Sequence, residues 1–143
     1  MALPKVLLIE DNAWDIELIR IMLAKELGPH HLDVLQDGEA ALEFVRGHRV
    51  APANTNPCVI VLDLRLPRHD GLAVMEEVRR SPTLSHIQVI VLSSFVSEAE
   101  KEEVERLGGI FKEKPNELNA FETLANLIAG VCRGGLEPVV NRA

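Results

Sequence analysis

Aromatic side chains are scarce in this chain, which has 4 Phe, 1 Trp and no Tyr among 143 residues. It also has no basic block, and its formal net charge is −7. With little to stack on bases and no cationic stripe to follow a phosphate backbone, direct nucleic-acid binding is not expected. Cysteine is limited to Cys58 and Cys132. Two such residues are not a disulfide framework, so a reduced, cytoplasmic setting is expected. No apolar run reaches the roughly 18 residues of a membrane span, and the first residues enter a strand pattern without the layout of a signal peptide. The five histidines, His30, His31, His48, His69 and His86, have neither metal-ligand spacing nor triad partners and read as surface residues. Repeats and low-complexity segments are absent too.

What is present is a regular alternation. The length fits one domain, and 47% apolar residues can fill a core between two helical layers. Strand-like runs at 5–9, 32–35, 58–62, 87–92 and 109–111 are separated by helical patterns at 14–27, 38–45, 70–80 and 97–107, with a last helix at 117–132. In the first helix Trp14, Leu18, Ile21 and Met22 recur at helical spacing; Asp11 or Asn12 can cap it, and Gly28-Pro29 stops it. The irregular stretch 47–57 reads as a surface loop. Strands separated by helices of about ten residues imply right-handed βαβ crossovers, hence a doubly wound parallel sheet with helices on both faces. Residues 1–133 are expected to form this domain, and 134–143, with Gly134-Gly135 and Pro138, a loose tail.

Acidic residues close two of the apolar runs: Glu10 and Asp11 follow 5–9, and Asp63 follows 59–62. Short Val/Ile/Leu runs that do not alternate with polar residues are what strands buried on both faces look like. In open α/β sheets the functional crevice lies beyond the carboxyl ends of the strands, where these three acids would converge. Two carboxylates about 4 Å apart repel by roughly 4 kcal/mol at an effective dielectric of about 20, which favours a raised pKa or a bound cation. A hard divalent ion, Mg²⁺ first, is the simplest resolution. Ser93 ends the fourth strand and Lys114 follows the fifth, on the same rim. A metal cluster, a hydroxyl and an ammonium around a central carboxylate suit attack of Asp63 on a phosphoryl group, whose oxygens Mg²⁺ and Lys114 can neutralise.

At this point the chain resembles the receiver domains of two-component response regulators, over roughly residues 5–132. The motifs that carry the resemblance fall in order, each at a strand end: Ile9-Glu10-Asp11-Asn12, Val61-Leu62-Asp63-Leu64, Leu66-Pro67-Arg68-His69-Asp70-Gly71, Val91-Leu92-Ser93-Ser94 and Phe111-Lys112-Glu113-Lys114-Pro115. The resemblance implies a flavodoxin-like, five-stranded sheet of order 2-1-3-4-5. It implies that Asp63 accepts phosphate from a sensor histidine kinase, and that Asp11, Asp63 and the backbone carbonyl of Arg65 bind Mg²⁺ with Glu10 helping through water. By the same carry-over Lys114 pairs with the phosphate, Ser93 is the switch hydroxyl and Phe111 the aromatic switch. The domain would signal rather than catalyse, beyond slow self-phosphorylation and self-dephosphorylation. Its output would be the face formed by the fourth helix, fifth strand and fifth helix, through which a homodimer is expected.

A narrower resemblance, to the small receivers that serve phytochrome-type kinases, rests on Ile9-Glu10-Asp11-Asn12-Ala13-Trp14-Asp15, the long loop before the third strand, Leu92-Ser93-Ser94 and the stand-alone format. Ser93 stands where threonine is commoner, and Arg65, two residues beyond Asp63, could bridge the phosphate or guard it from water. Plainer readings stay open: a strand-end serine is often only a turn residue, and Phe111 reads equally as a fixed core aromatic. Two rival functions compete. A hydrolase with an aspartyl nucleophile wants a second acid where Arg65 stands. A flavin-binding module wants a Ser/Thr/Gly-rich phosphate loop where Glu10-Asp11-Asn12 would repel the ligand.

Overall fold

The structure, a computed structural model, describes residues 3–134. Along the chain run β1 (Lys5–Ile9), α1 (Ala13–Glu26), β2 (His31–Leu35), α2 (Gly38–Gly47), β3 (Val59–Asp63), α3 (Gly71–Arg80), β4 (Val89–Ser93), α4 (Glu98–Arg106), β5 (Ile110–Glu113) and α5 (Leu118–Cys132). The strands form one parallel sheet in the order β2-β1-β3-β4-β5. The doubly wound parallel sheet is the one the alternating pattern implied, and its flavodoxin-like order is the one the family resemblance implied. Residues 135–143, most of the expected loose tail, lie outside the described residues. Among the described residues, no helix is long and apolar enough to cross a membrane.

Strand periodicity explains the layers. Successive side chains point to opposite faces, so Leu7, Ile9, Ile60, Leu62, Val89 and Val91 meet α2, α3 and α4, whereas Val6, Leu8, Val59, Val61, Ile90 and Leu92 meet α1 and α5. Every residue of β3 and β4 is buried, and each fully buried Leu, Ile or Val contributes roughly 2 kcal/mol of hydrophobic stabilisation. The chain leaves β1 toward β2 on one side, and β3 starts on the other side of β1. That reversal opens the crevice at the carboxyl ends of β1 and β3.

Three expectations need correction. Trp14 and Ile21 do not face the core: they are 79% and 54% exposed, and Ile16, Ile19 and Leu23 turn inward instead. The helix carries apolar residues on several faces, so periodicity alone left its phase undetermined. His48 is buried, not a surface residue, with Nδ1 3.0 Å from the Thr83 hydroxyl, which itself donates to the His48 carbonyl at 2.8 Å. Cys58 and Cys132 are paired as a disulfide, with Cα atoms 5.0 Å apart across 74 residues of sequence. α5 returns antiparallel to the strands and delivers its last residue beside the start of β3, a neighbourhood that only topology creates.

The β3–α3 connection is fitted tightly under the crevice. Asp70 caps α3 by accepting from the Leu72 N–H at 2.9 Å, and the Gly71 N–H reaches the Leu64 carbonyl at 3.2 Å. A Cβ on Gly71 would stand 2.7 Å from Leu64 Cα and 2.8 Å from the Asp63 carbonyl oxygen. Backbone atoms cannot yield as a flexible side chain does. Gly71→Ala is therefore expected to destabilise the fold by about 2 kcal/mol, read as a lower urea midpoint; an unchanged midpoint would show that this packing has slack.

Candidate functional site

The rim at the carboxyl ends of the strands gathers residues from three of them. Glu10 leaves β1 fully buried; its N–H donates to the Leu35 carbonyl at 2.9 Å, and its Oε2 accepts from the N–H groups of Asp11 at 2.9 Å and Asn12 at 3.1 Å. Those bonds fold the turn back on itself and leave Asn12 free to cap α1 through the Asp15 N–H at 3.0 Å. Asp63 ends β3, buried, with Oδ1 accepting from the Arg65 N–H at 2.9 Å. Lys114 follows β5, where its N–H donates to the Ser93 carbonyl at 3.0 Å. Its ammonium lies 2.9 Å from Glu10 Oε1, 3.0 Å from Asp63 Oδ2 and 3.2 Å from Asp15 Oδ2. Asp11 is exposed, yet Glu10, Asp11 and Asp63 each offer an oxygen within 4.8 Å of the others.

Burial dominates the electrostatics at Glu10, pushing its carboxyl up to about 7 against the opposing hydrogen bond to Lys114, with the nearby Asp63 charge adding to the rise. Burial alone would push the Lys114 ammonium down, but its hydrogen bonds to Glu10 and Asp63 outweigh that and hold it above the ordinary lysine range. An all-oxygen donor set with excess negative charge fits a hard divalent cation. The acids present thus suit a divalent cation, the class of ion that the sequence pattern called for.

The profile of the response regulator receiver domain matches residues 6–121. The chain belongs to that family. Response regulator Rcp1 of Synechocystis sp. (strain ATCC 27184 / PCC 6803 / Kazusa) is 38% identical over 92 residues, 64% of this chain and 63% of Rcp1. The match thus spans a little under two thirds of that curated relative. Among solved structures, the phosphorylated cyanobacterial phytochrome response regulator RcpA superposes with a TM-score of 0.81 at 32% identity, over 96% of this chain and 99% of its own. The Mn²⁺-bound form of Rcp1 superposes with a TM-score of 0.79 at 27% identity, again over 96% and 99%.

Within this receiver the remaining expected residues adopt a particular arrangement. Ser93 is buried, but its hydroxyl turns to the Phe95 backbone, donating to the carbonyl and accepting from the N–H at 3.3 Å. The Arg65 guanidinium does not address Asp63. It grips Glu100 near the start of α4 with two bonds of 2.7 and 2.8 Å and donates to the Phe95 carbonyl at 3.1 Å. Glu100 also closes the capping box of α4 with Ser97. The hydrogen bond from Arg65, then that from the Ser97 backbone, hold its carboxyl down at about 2. Phe111 is half-buried against the α2/α3/α4 layer.

Two residues escaped the sequence reasoning. Asp15 counts only as part of a motif there, although an acid in the first turn of α1, just after a capped rim, is a usable signal. Glu100 sits in a run of charges that reads as a solvated face.

The raised Glu10 pKa has a definite sign in stability. Between about pH 4.5 and 7 the folded chain holds a proton on Glu10 that the unfolded chain has lost, so rising pH removes stability across that window. In chelator-treated protein the unfolding free energy is expected to fall by on the order of 2–3 kcal/mol over this range relative to Glu10→Gln, which lacks the titration. Parallel pH profiles for the two proteins, followed by urea unfolding, would contradict the assignment.

Proposed function

We propose that Asp63 accepts a phosphoryl group from the phosphohistidine of a sensor histidine kinase. An Asp63 carboxylate oxygen attacks phosphorus in line, the P–N bond breaks, and an acyl phosphate forms on the side chain. The observation that carries this reading is the placement of the Asp63 carboxylate at the mouth of β3, within 3.0 Å of the Lys114 ammonium and beside Glu10 and Asp11. Asp11, Asp63 and the Arg65 carbonyl would hold Mg²⁺, with Glu10 acting through water. Bound there, the ion would neutralise charge on the phosphoryl oxygens. Lys114 would stay against the new phosphate and leave Glu10 and Asp15 less compensated.

Phosphorylation adds about −1.5 to −2 charges and three acceptor oxygens. The Ser93 hydroxyl would leave the Phe95 carbonyl to donate to one of them, and Phe111 would turn inward as the aromatic switch. Driving such a two-state element from 1:99 to 99:1 needs about 5.5 kcal/mol of preference for one state. The face of α4, β5 and α5 is the proposed output and homodimer surface. Leu118 is exposed there, and a groove of about 480 Å³ between β5 and α5 is lined by Lys112, Pro115, Leu124 and Leu127 among others. A phytochrome-type kinase is the proposed donor, on the likeness to the phytochrome response regulator RcpA. The domain would be a phosphoacceptor rather than a turnover enzyme. Arg65 stands where an aspartyl phosphatase wants its second acid, and its guanidinium is engaged with Glu100.

A small phosphodonor with Mg²⁺ is expected to place one acid-stable, base-labile phosphate on each chain. Asp63→Asn abolishes the label, and chelation of the metal lowers its rate by tenfold or more. Label surviving in that variant, or phosphate released through many rapid turnovers, would remove the reading.

A further inference from the structure

The amino end of the sheet, opposite Asp63, carries chemistry that phosphoryl acceptance does not use. Cys58 stands immediately before β3 and Cys132 is the last residue of α5; they are paired, and neither is fully buried. Both residues keep part of their surface at the amino end of the sheet while packing against the α1/α5 layer. Cys58 also sits against the Lys5 carbonyl, with its N–H at 2.8 Å and its Sγ at 3.1 Å. A disulfide sulfur carries no proton, so the Sγ contact can be a hydrogen bond only in the reduced thiol. Both redox forms of Cys58 thus have a partner in place: Cys132 when oxidised, the Lys5 carbonyl when reduced.

Burial falls off along the end of α5: Ile128 and Ala129 are fully buried, whereas Val131 and Cys132 are half-buried against the α1/α5 layer. Beyond them the Arg133 guanidinium donates to the Glu26 carbonyl at 2.8 Å, and the backbone closes the helix with the Ala129 carbonyl. A covalent link at Cys132 would decide whether this turn frays. The same helix carries Leu124 and Leu127 of the groove with β5, so its mobility bears on the surface that α5 presents.

We propose that Cys58 and Cys132 form a reversible dithiol–disulfide couple, exchanging with low-molecular-mass disulfides of the glutathione type, that locks the C-terminal turn of α5 onto the start of β3. One cysteine thiolate attacks a sulfur of the small disulfide, expels one thiolate and becomes a mixed disulfide. The second cysteine thiolate then attacks the protein sulfur of that adduct and releases the other small thiolate. Two electrons and two protons pass from the protein to the oxidant, which becomes two thiols. In compartments that keep thiols reduced, a disulfide of this kind is a sensing device rather than a permanent staple. The couple lies at the far end of β3 from the acids, so it does not depend on whether Asp63 is phosphorylated.

The test takes the full chain through buffers from reduced to oxidised glutathione and reads alkylatable thiols by intact mass, the thermal midpoint, and amide exchange across the last turn of α5. Both thiols are expected to disappear together in one transition with no lasting glutathione adduct. The oxidised form should melt about 10–15 °C higher, since the link closes a long loop of the unfolded chain. Exchange at residues 129–133 should slow by about tenfold or more. Cys132→Ser and Cys58→Ser should each melt as the reduced protein does at every glutathione ratio, the one remaining thiol going no further than a mixed adduct. In the unsubstituted chain, thiols that stay free, a stable mixed adduct, a bond that persists in reduced glutathione, or pairing that leaves both midpoint and exchange unmoved would each overturn the proposal.

Discussion

One ammonium among three carboxylates is the interaction on which this molecule turns. Lys114 lies within hydrogen-bonding distance of Glu10, Asp15 and Asp63, which come from β1, α1 and β3, while Lys114 itself follows β5. No local stretch of chain could assemble that group. It needs the parallel sheet, with the carboxyl ends of its strands on one rim, and it needs the short, wholly apolar runs that make the sheet worth burying. The cluster is also unbalanced. With Asp11 included, four carboxylates face one cation, and each close pair repels by several kcal/mol at the effective dielectric of a protein. Glu10 relieves part of the strain by binding a proton more readily. What remains is an appetite for positive charge that suits a divalent ion.

Around this charge cluster the structure holds a chain of committed hydrogen bonds. Ser93 is engaged by the Phe95 backbone, the Phe95 carbonyl also receives Arg65, and Arg65 is gripped by Glu100 within the capping box of α4. A new anion at Asp63 would compete for the Ser93 hydroxyl and for the Arg65 guanidinium. Either loss is felt at the first turn of α4. The hydrogen bonds between Ser93, Phe95, Arg65 and Glu100 thus link the neighbourhood of the acids to the start of α4.

Much of this was legible before any coordinates. The runs at β1, β3 and β4 are buried on both faces, so their composition announces a parallel sheet, and a parallel sheet announces where its acids meet. Lys114 was legible because it follows a strand on the same rim. Other features were hidden for physical reasons. α1 is apolar on several sides, so the phase that buries Ile16, Ile19 and Leu23 is set by the Asn12 cap and by packing against α5 rather than by spacing. His48 is buried because a distant threonine, Thr83, satisfies its ring. The Cys58–Cys132 pair depends on where α5 ends, which no count of cysteines reveals. The roles of Asp15 and Glu100 were hidden because their partners lie 99 and 35 residues away in sequence.

The account stands or falls on Asp63 as the acceptor inside this charge cluster. Its most direct test is a crystal structure of the chain soaked with magnesium and beryllofluoride, the latter a mimic of an acyl phosphate. The expected map shows beryllium bonded to an Asp63 carboxylate oxygen, the Lys114 ammonium on one fluoride, the ion on Asp11 and Asp63, and the Ser93 hydroxyl turned from Phe95 toward the fluorides. Beryllofluoride bound elsewhere, or an Asp63 left unmodified at saturating ligand with Lys114 unmoved, would contradict it.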